Sequence, residues 1–323
     1  MSAPDGKSAH MSTSMDLQSR VLHAYVAVQH LGHGRPILEI AEEVGLSRFT
    51  VSRMVKRARE LKLVEVRATL GDPVDITLST QLASQFSLRS ALAVAVSGTT
   101  EDDVRGAIAA VTAKFLRDNV KDGDIIGATP GRTMVRASRL VDSLPTADVV
   151  QLTGVGNSRV EDGVEAALNL GRASSGETYP LYAPFLADRQ TTSTMLTHPS
   201  LQRTLQRFRR ISQAFLTIGG WPDSSLLATQ VSDYGDEHLV KDVVAELGST
   251  LLDADGRDVN ALDGRLIGIS SAELQAIPQR VAIGGGAGKH DAVLAVLRSG
   301  LADVVITDVE SARYALERDG AVA

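Results

Sequence analysis

The sequence predicts an α/β protein in two parts: an N-terminal helix-turn-helix domain of winged-helix type, then a Rossmann-like, doubly wound α/β domain. Three observations lead there. Apolar residues recur at helical spacing up to residue 62, with a turn glycine, Gly45, among them. From about Leu92 short β-rich runs alternate with amphipathic stretches, the pattern of a mostly parallel sheet. Charge also divides: residues 1–70 hold ten Lys and Arg against seven acids, whereas the remainder holds 23 against 32, so a basic module precedes an acidic body. The 323 residues suit two domains.

Taken in order, the Ser-rich segment 1–15 is expected to be a disordered leader. Residues 16–70 form the helix-turn-helix domain. Leu17, Val21, Tyr25 and Val28 predict its first helix, which Gly32 and Gly34 break. Pro36 suits the first position of a second helix that runs through Val44 and ends at Gly45. Ser47 is the expected N-cap of a third helix, whose apolar positions are Val51, Met54, Val55, Ala58 and Leu61. Ala41, Gly45 and Val51 carry the helix-turn-helix spacing: a small residue where helices approach, a left-handed turn, and a residue packed beneath the second helix. Residues 63–70 read as a strand or short wing, and Gly71, Asp72 and Pro73 open an expected linker over 71–90.

The second domain, 91–323, is expected to bind an effector and to mediate oligomerisation. Its predicted strands are 92–96, 125–128, 149–152, 179–182, 214–218, 266–269, 281–284 and 304–307. Helical patterns cover 102–116, 133–144, 201–208, 289–297 and 311–317. In such sheets ligands bind in a crevice at the carboxyl ends of the strands, so the loops that follow the strands are where chemistry is expected.

The third helix offers Ser47, Arg48, Thr50, Ser52, Arg53, Lys56 and Arg57 away from its apolar positions, with Arg59 beyond them. This suits a helix that reads base edges near its start and grips phosphates along its flanks, and these seven residues are the expected contacts to operator DNA. A solvated basic helix with no nucleic-acid role is the plainer alternative. The coincidence of apolar pattern, turn glycine and basic face favours DNA.

Two loops of the second domain look built for an anion. After the strand-like 124–127, Thr129-Pro-Gly131-Arg132-Thr133 leads into a helix, placing backbone N–H groups, two hydroxyls and a guanidinium at its start. After the run ending at Ile283, Gly284, Gly285, Gly286 and Gly288 precede Lys289 at another helix start. Glycines there allow close backbone approach to a phosphate, and Lys289 adds a point charge. The spacing is not that of a Walker A loop, and His290 stands where its Ser or Thr would be, so a sugar phosphate suits these loops better than nucleotide hydrolysis.

The segments IAEEVGLSRFTVSRMVKRARE, GATPGRT, VVQLTG, LYAPF, LLDADG and AIPQRVAIGGGAGKHDAVLAVLRSGLADVVITD, in that order, resemble the SorC family of sugar-responsive bacterial transcriptional regulators. The resemblance covers nearly all of the chain after residue 15. It implies an effector domain akin to sugar-phosphate isomerases and deaminases, assembled as a dimer or tetramer. It places the phosphate loop at Gly131, Arg132 and Thr133, a phosphate-contacting lysine at Lys289, and an acidic hydroxyl-binding residue at Glu246. With Thr129, Gly285 and Gly286 these complete the expected effector site. Two departures stand out: Pro130 replaces an aromatic or Gly, and Trp221 to Ala228 lacks the arginines of the member that binds a bisphosphorylated sugar. A monophosphorylated sugar or polyol, or an unphosphorylated polyol, is therefore the expected effector.

Other features point away from catalysis, metals and membranes. Asp253, Asp255 and Asp258 suit an Asp-Gly turn better than a cation loop, and the seven histidines show no zinc spacing. Trp221 reads as a packing residue and His198, before Pro199, as a helix start. Cys is absent, which removes disulfides, thiolate metal sites and cysteine nucleophiles. No window reaches the ~18 apolar residues needed to span a bilayer, and the N-terminus lacks the apolar core of a signal peptide. A cytoplasmic protein without cofactor, metal or catalytic residues is expected. The rival is a sugar-phosphate isomerase or deaminase whose N-terminal helices serve only assembly, but it leaves the basic helix without a use.

Overall fold

The structure, a computed structural model, describes residues 15–65, 71–156 and 160–320. Most of the expected leader, and the expected wing beyond residue 65, lie outside the described residues. Contacts divide the chain into two units, Met1–Leu70 and Gly71–Ala323.

In the first unit, Asp16 caps α1 (Leu17–Ala27), which runs on through a π-helical turn, Val28–Gly32. Pro36 occupies the N-cap of α2 (Ile37–Val44), one position earlier than expected. Gly45 ends α2 at φ +66°, the left-handed conformation that a side chain would disfavour. Ser47 then caps α3 (Arg48–Glu60), its Oγ accepting from Thr50 N at 3.2 Å. Val26, Ala27, Ile40, Ala41, Val51, Met54, Val55 and Ala58 form one small core. Two expectations shift. Leu61 falls at the C-cap of α3 and is exposed. The stripe that predicted α1 faces outward, with Leu17 73%, Val21 61%, Tyr25 37% and Val28 44% exposed, because Val26 and Ala27 supply the buried face.

The second unit begins earlier than the sequence suggests. Within the expected linker, β1 (Val74–Asp75) pairs antiparallel with β2 (Ser90–Val94), and Asp75 caps α4 (Ile76–Gln85). Leu82 of α4 is fully buried in the main core. The Gly-Asp-Pro signal is a turn into a folded element, so 71–90 is no linker. The elements that follow are α5 (Glu101–Asn119), β3 (Ile125–Ala128), α6 (Arg132–Arg139), β4 (Ala147–Gln151), α7 (Val160–Ser174) and β5 (Ser175–Tyr179). Next come α8 (Arg189–Thr197), α9 (Pro199–Leu205), β6 (Gln213–Gly220), α10 (Ala228–Asp233), β7 (Ala245–Leu247) and β8 (Thr250–Leu252). The unit ends with α11 (Ser271–Gln275), β9 (Gln279–Ile283), α12 (His290–Ser299), β10 (Val304–Asp308) and α13 (Val309–Gly320).

Strands β2, β10, β9, β6, β3, β4 and β5 lie side by side in that order, each pair parallel, and the β7–β8 hairpin joins antiparallel to the end of β6. Helices cover both faces, so successive strand residues enter different cores: Val149 belongs to the core that holds Ile108, Met134 and Leu170, whereas Val150 belongs to the one that holds Leu216, Val293 and Leu297. Two predicted strands move. Residues 179–182 give way to β5, since Pro180 has no N–H for the ladder. Residues 266–269 make only isolated bridges, Leu186 to Leu266 and Thr153 to Gly268. The order of strands reverses between β3 and β6, where the connections leaving them diverge, and that opens a crevice at their carboxyl ends.

Candidate functional site

On α3 the apolar positions are buried and the basic ones are not. Ser52, Arg53, Lys56, Arg57 and Arg59 are exposed, as are Ser47 and Arg48 at its start. Arg57 pairs with Glu60 at 3.1 Å, while Arg48, Arg53, Lys56 and Arg59 make no ion pair among the described residues. The Arg48 guanidinium lies 4.9 Å from the Phe49 ring centre. Ser47 and Thr50 share a hydroxyl hydrogen bond of 2.9 Å at the helix start, so both serve the cap. What remains is a helix face of four unpaired cations, the electrostatic footprint a phosphate backbone requires.

In the second unit the crevice is lined by the loops after β3, β6 and β9. Thr129 is buried, its N–H donating to Phe215 O at 3.0 Å and its Oγ1 lying 3.0 Å from Thr217 Oγ1. Gly131 caps α6 at φ +145°, and a Cβ there would stand 2.8 Å from Thr217 Cγ2, so this turn needs glycine for both conformation and space. Arg132 follows, exposed and without a hydrogen bond or ion pair among the described residues, and Thr133 is buried at the helix start. Three of the residues expected around the phosphate thus sit in one turn.

Lys289 closes the short 3-10 turn Ala287–Lys289, and its Nζ donates to Ile218 O at 2.7 Å. A Cβ on Gly220 would lie 3.2 Å from Lys289 Cγ, so β6 ends in glycine where the lysine stem crosses it. Burial pulls the Lys289 ammonium down to about 8, and the charges of Arg132 and Arg105 push the same way against Glu246 and Glu101. Gly286 N–H donates to Asp308 Oδ2 at 2.7 Å rather than pointing into the crevice. Asp308, itself buried, also accepts from Ser311 Oγ at 2.6 Å and from the N–H groups of Glu310 and Ser311 at 3.0 Å, fixing the glycine loop to the start of α13.

Glu246 stands on β7, opposite Gly219 of β6, and is buried. Its Oε2 accepts from Ser225 Oγ, from Leu226 N at 3.1 Å and from Leu227 N at 3.3 Å. Burial raises its carboxyl, and these donors pull it partly back. The crevice therefore joins a cationic end, at Arg132 and Lys289, to a carboxylate acceptor, at Glu246. An anion bearing hydroxyl groups matches that polarity. Sequence reasoning missed Thr217, Asp308, Ser225 and Arg105, none of which carries a local motif. The His290 ring lies 5.1 Å from that of Tyr314, and its buried Nε2 has no hydrogen bond among the described residues.

The aspartates at 253–258 form a turn, with Asp253 Oδ1 accepting from Asp255 N and Arg257 N at 2.9 Å. His198 caps α9, and Trp221 packs against the cluster around Phe185 and Leu227. Among the described residues no helix is long and apolar enough to cross a membrane.

Comparison with known proteins gives this geometry its family. The sugar-binding domain family model, Sugar-bind, matches residues 74–317. The chain is 27% identical to the deoxyribonucleoside regulator of Bacillus subtilis (strain 168), covering 85% of this chain and 90% of that one. It is 24% identical to the sorbitol operon regulator of Klebsiella pneumoniae, covering 86% and 92%. The crystal structure of that full-length regulator, SorC, superposes with a TM-score of 0.67 over 93% of this chain and 99% of its own, at 21% identity. The match begins at Val74, the first residue of β1, so the family domain includes the segment that the sequence suggested was a linker. With the sugar-binding domain spanning most of its length, the chain belongs to the SorC family of regulators.

Proposed function

We propose that the protein is a DNA-binding transcriptional regulator of carbohydrate or polyol genes, controlled by a monophosphorylated sugar or polyol. The observation that carries the reading is the union, on one chain, of a basic helix face with unpaired cations and a crevice that sets Arg132 and Lys289 apart from a buried Glu246. Relatives that regulate sorbitol and deoxyribonucleoside genes support the same role. In this reading Arg48, Arg53, Lys56 and Arg57 contact operator DNA, and Ser47, Thr50 and Ser52 complete that face. Thr129, Gly131, Arg132, Thr133 and Lys289 hold the phosphate, Gly285 and Gly286 shape the wall beside it, and Glu246 accepts the hydroxyls. The protein acts in the cytoplasm as a dimer or tetramer that presents paired α3 helices to half-sites, and it performs no catalysis. Effector and DNA are coupled thermodynamically: an effector that lowers DNA affinity itself binds the DNA complex more weakly.

The test is fluorescence anisotropy of a labelled DNA fragment from upstream of the neighbouring operon, at stated salt, titrated with protein and then with a panel of sugar and polyol phosphates. Specific binding that one compound shifts establishes the regulator and its effector class. Absence of specific binding, with and without the panel, refutes the reading.

A further inference from the structure

We propose that Arg105 is a third cationic ligand of the effector's anionic group, exchanging its pairing with Glu101 and Asp102 for that anion. This rests on the crevice reading above and extends it to a residue on α5 that no motif marks.

The geometry of the α5 start is unlike that of an ordinary surface ion pair. Arg105 Nη1 donates to Asp102 Oδ1 at 3.1 Å, while Nη2 lies 3.7 Å from Glu101 Oε2, too far for a hydrogen bond. The arginine side chain is 19% exposed, but its partners are 63% and 70% exposed. A surface pair normally leaves both ends in water. Here the cation is drawn inward and its carboxylates are left outside. The same turn of α5 faces the glycine loop: Val104 Cγ1 stands 3.8 Å from where a Cβ on Gly286 would be, Ile108 Cδ1 3.0 Å from the same point on Gly285, and Glu101 Oε1 3.4 Å from that on Gly288. The turn of α5 that carries Arg105 and its partner Glu101 therefore packs against the glycine loop that leads to Lys289, and the charges of Arg105 and Arg132 both act on the lysine.

Like charges held together cost free energy unless an anion lies among them. The carboxylates nearby are already committed. Glu246 serves Ser225, Leu226 and Leu227; Asp308 serves Gly286, Glu310 and Ser311; and Asp102 is shared with Arg136 at 2.9 Å. Only Glu101 is loosely held. A compact dianion with several acceptor oxygens matches these cations, and a phosphate monoester supplies one where an unphosphorylated polyol does not. On its arrival Arg105 exchanges its carboxylates for phosphate oxygens.

The experiment follows thermal unfolding of the full-length protein by the fluorescence of Trp221, its only tryptophan, with inorganic phosphate as the probe and chloride holding ionic strength constant. A ligand that binds only the folded state raises Tm with concentration. For Arg105→Gln, the phosphate needed for a given rise should increase on the order of tenfold, the loss of one charge-assisted hydrogen bond. For Glu101→Gln it should fall severalfold, because a competing anion is gone. Opposite shifts are the signature. If the Arg105–Glu101 pair only braces α5, both variants change Tm without phosphate and leave its dose dependence unchanged, which overturns the proposal. Arg132→Gln separates the two levels of inference. Loss of response in Arg132→Gln but not in Arg105→Gln removes Arg105 and keeps the crevice. A wild-type protein that does not respond to phosphate removes both.

Discussion

Replacing Lys289 by Met tests the charge economy of the crevice without any ligand. The lysine stem is kept in outline, and the ammonium is lost. In the folded protein that ammonium is displaced from 10.5 to about 8, equivalent to about 3 kcal/mol at most, less the share that water screens at a half-buried side chain. The sign follows from proton counting. Between pH 8 and 10.5 the unfolded chain keeps a proton on this lysine that the folded chain has released, so stability rises with pH through that window. Below pH 8 both states hold the proton, and the cost of burying the charge is fully expressed. Lys289→Met removes this dependence. It also strips the Ile218 carbonyl of its 2.7 Å donor, a loss of about 1–3 kcal/mol that is largely constant with pH below 8. At pH 7 the two effects nearly cancel, and the variant should unfold close to the wild type. Urea unfolding read at Trp221, which lies in the second unit and leaves the first silent, should then show the wild type gaining about 2 kcal/mol on the variant between pH 7.5 and 10.5. A difference that stays constant across that range would refute the claim that Lys289 is a half-buried, charge-crowded amine.

Other outcomes follow from the same geometry. Arg53→Ala and Arg48→Ala should each cost about 1–3 kcal/mol of operator affinity if the side chain reaches a base, or about one unit of salt slope if it grips a phosphate. Effector binding and oligomeric state, by calorimetry and sedimentation, should not change. Glu246→Ala should destabilise the second unit by about 1–3 kcal/mol, because the N–H groups of Leu226 and Leu227 lose their acceptor; Glu246→Gln, which retains an acceptor oxygen, should cost less in denaturant unfolding. A chain lacking residues 1–70 should remain folded, with Trp221 emission and helical circular dichroism like those of the full chain. Removing 1–75 instead deletes β1 and the Asp75 cap of α4, and should lower the unfolding midpoint.

How much of this was legible in the sequence depends on how far each signal reaches along the chain. The α2–α3 turn was legible because Gly45, Ser47 and the buried positions of α3 lie within one or two helical turns of each other. The loops at Gly131 and Lys289 were legible because their glycines and cations are adjacent. Segment 71–90 misled for the same reason: Gly71, with φ +74°, does mark a turn, but nothing local reveals that Val74 and Asp75 pair with Val94 and Ala93. Thr217 and Asp308 were invisible because the sheet brings them in. Thr217 reaches Thr129 only because β6 pairs with β3, and Asp308 reaches Gly286 only because β10 pairs with β9. Glu246 was known only by resemblance, and its place on a buried strand depends on a three-residue hairpin arm that no periodicity could show.

The same contrast explains why the crevice is where the sequence rules fail. Along the strands, apolar residues pack on both faces and every local preference agrees with the fold. At the carboxyl ends of β3, β6 and β9 the preferences conflict: a glycine at φ +145°, a half-buried lysine whose ammonium is pulled down to about 8, a buried carboxyl that burial pushes up, and two arginines whose charges act on that lysine. Each conflict costs stability, and none helps the sheet. In the function proposed above one ligand resolves the charged ones together: its phosphate lies beside Arg105, Arg132 and Lys289 and restores the lysine's proton, and its hydroxyl groups donate to Glu246. Binding should therefore take up a proton at the lysine. Near pH 8, where the lysine is half protonated, calorimetric enthalpies of phosphate binding should vary with the ionisation enthalpy of the buffer. Equal enthalpies in buffers of widely different ionisation enthalpy would mean that the ligand leaves these charges as they are.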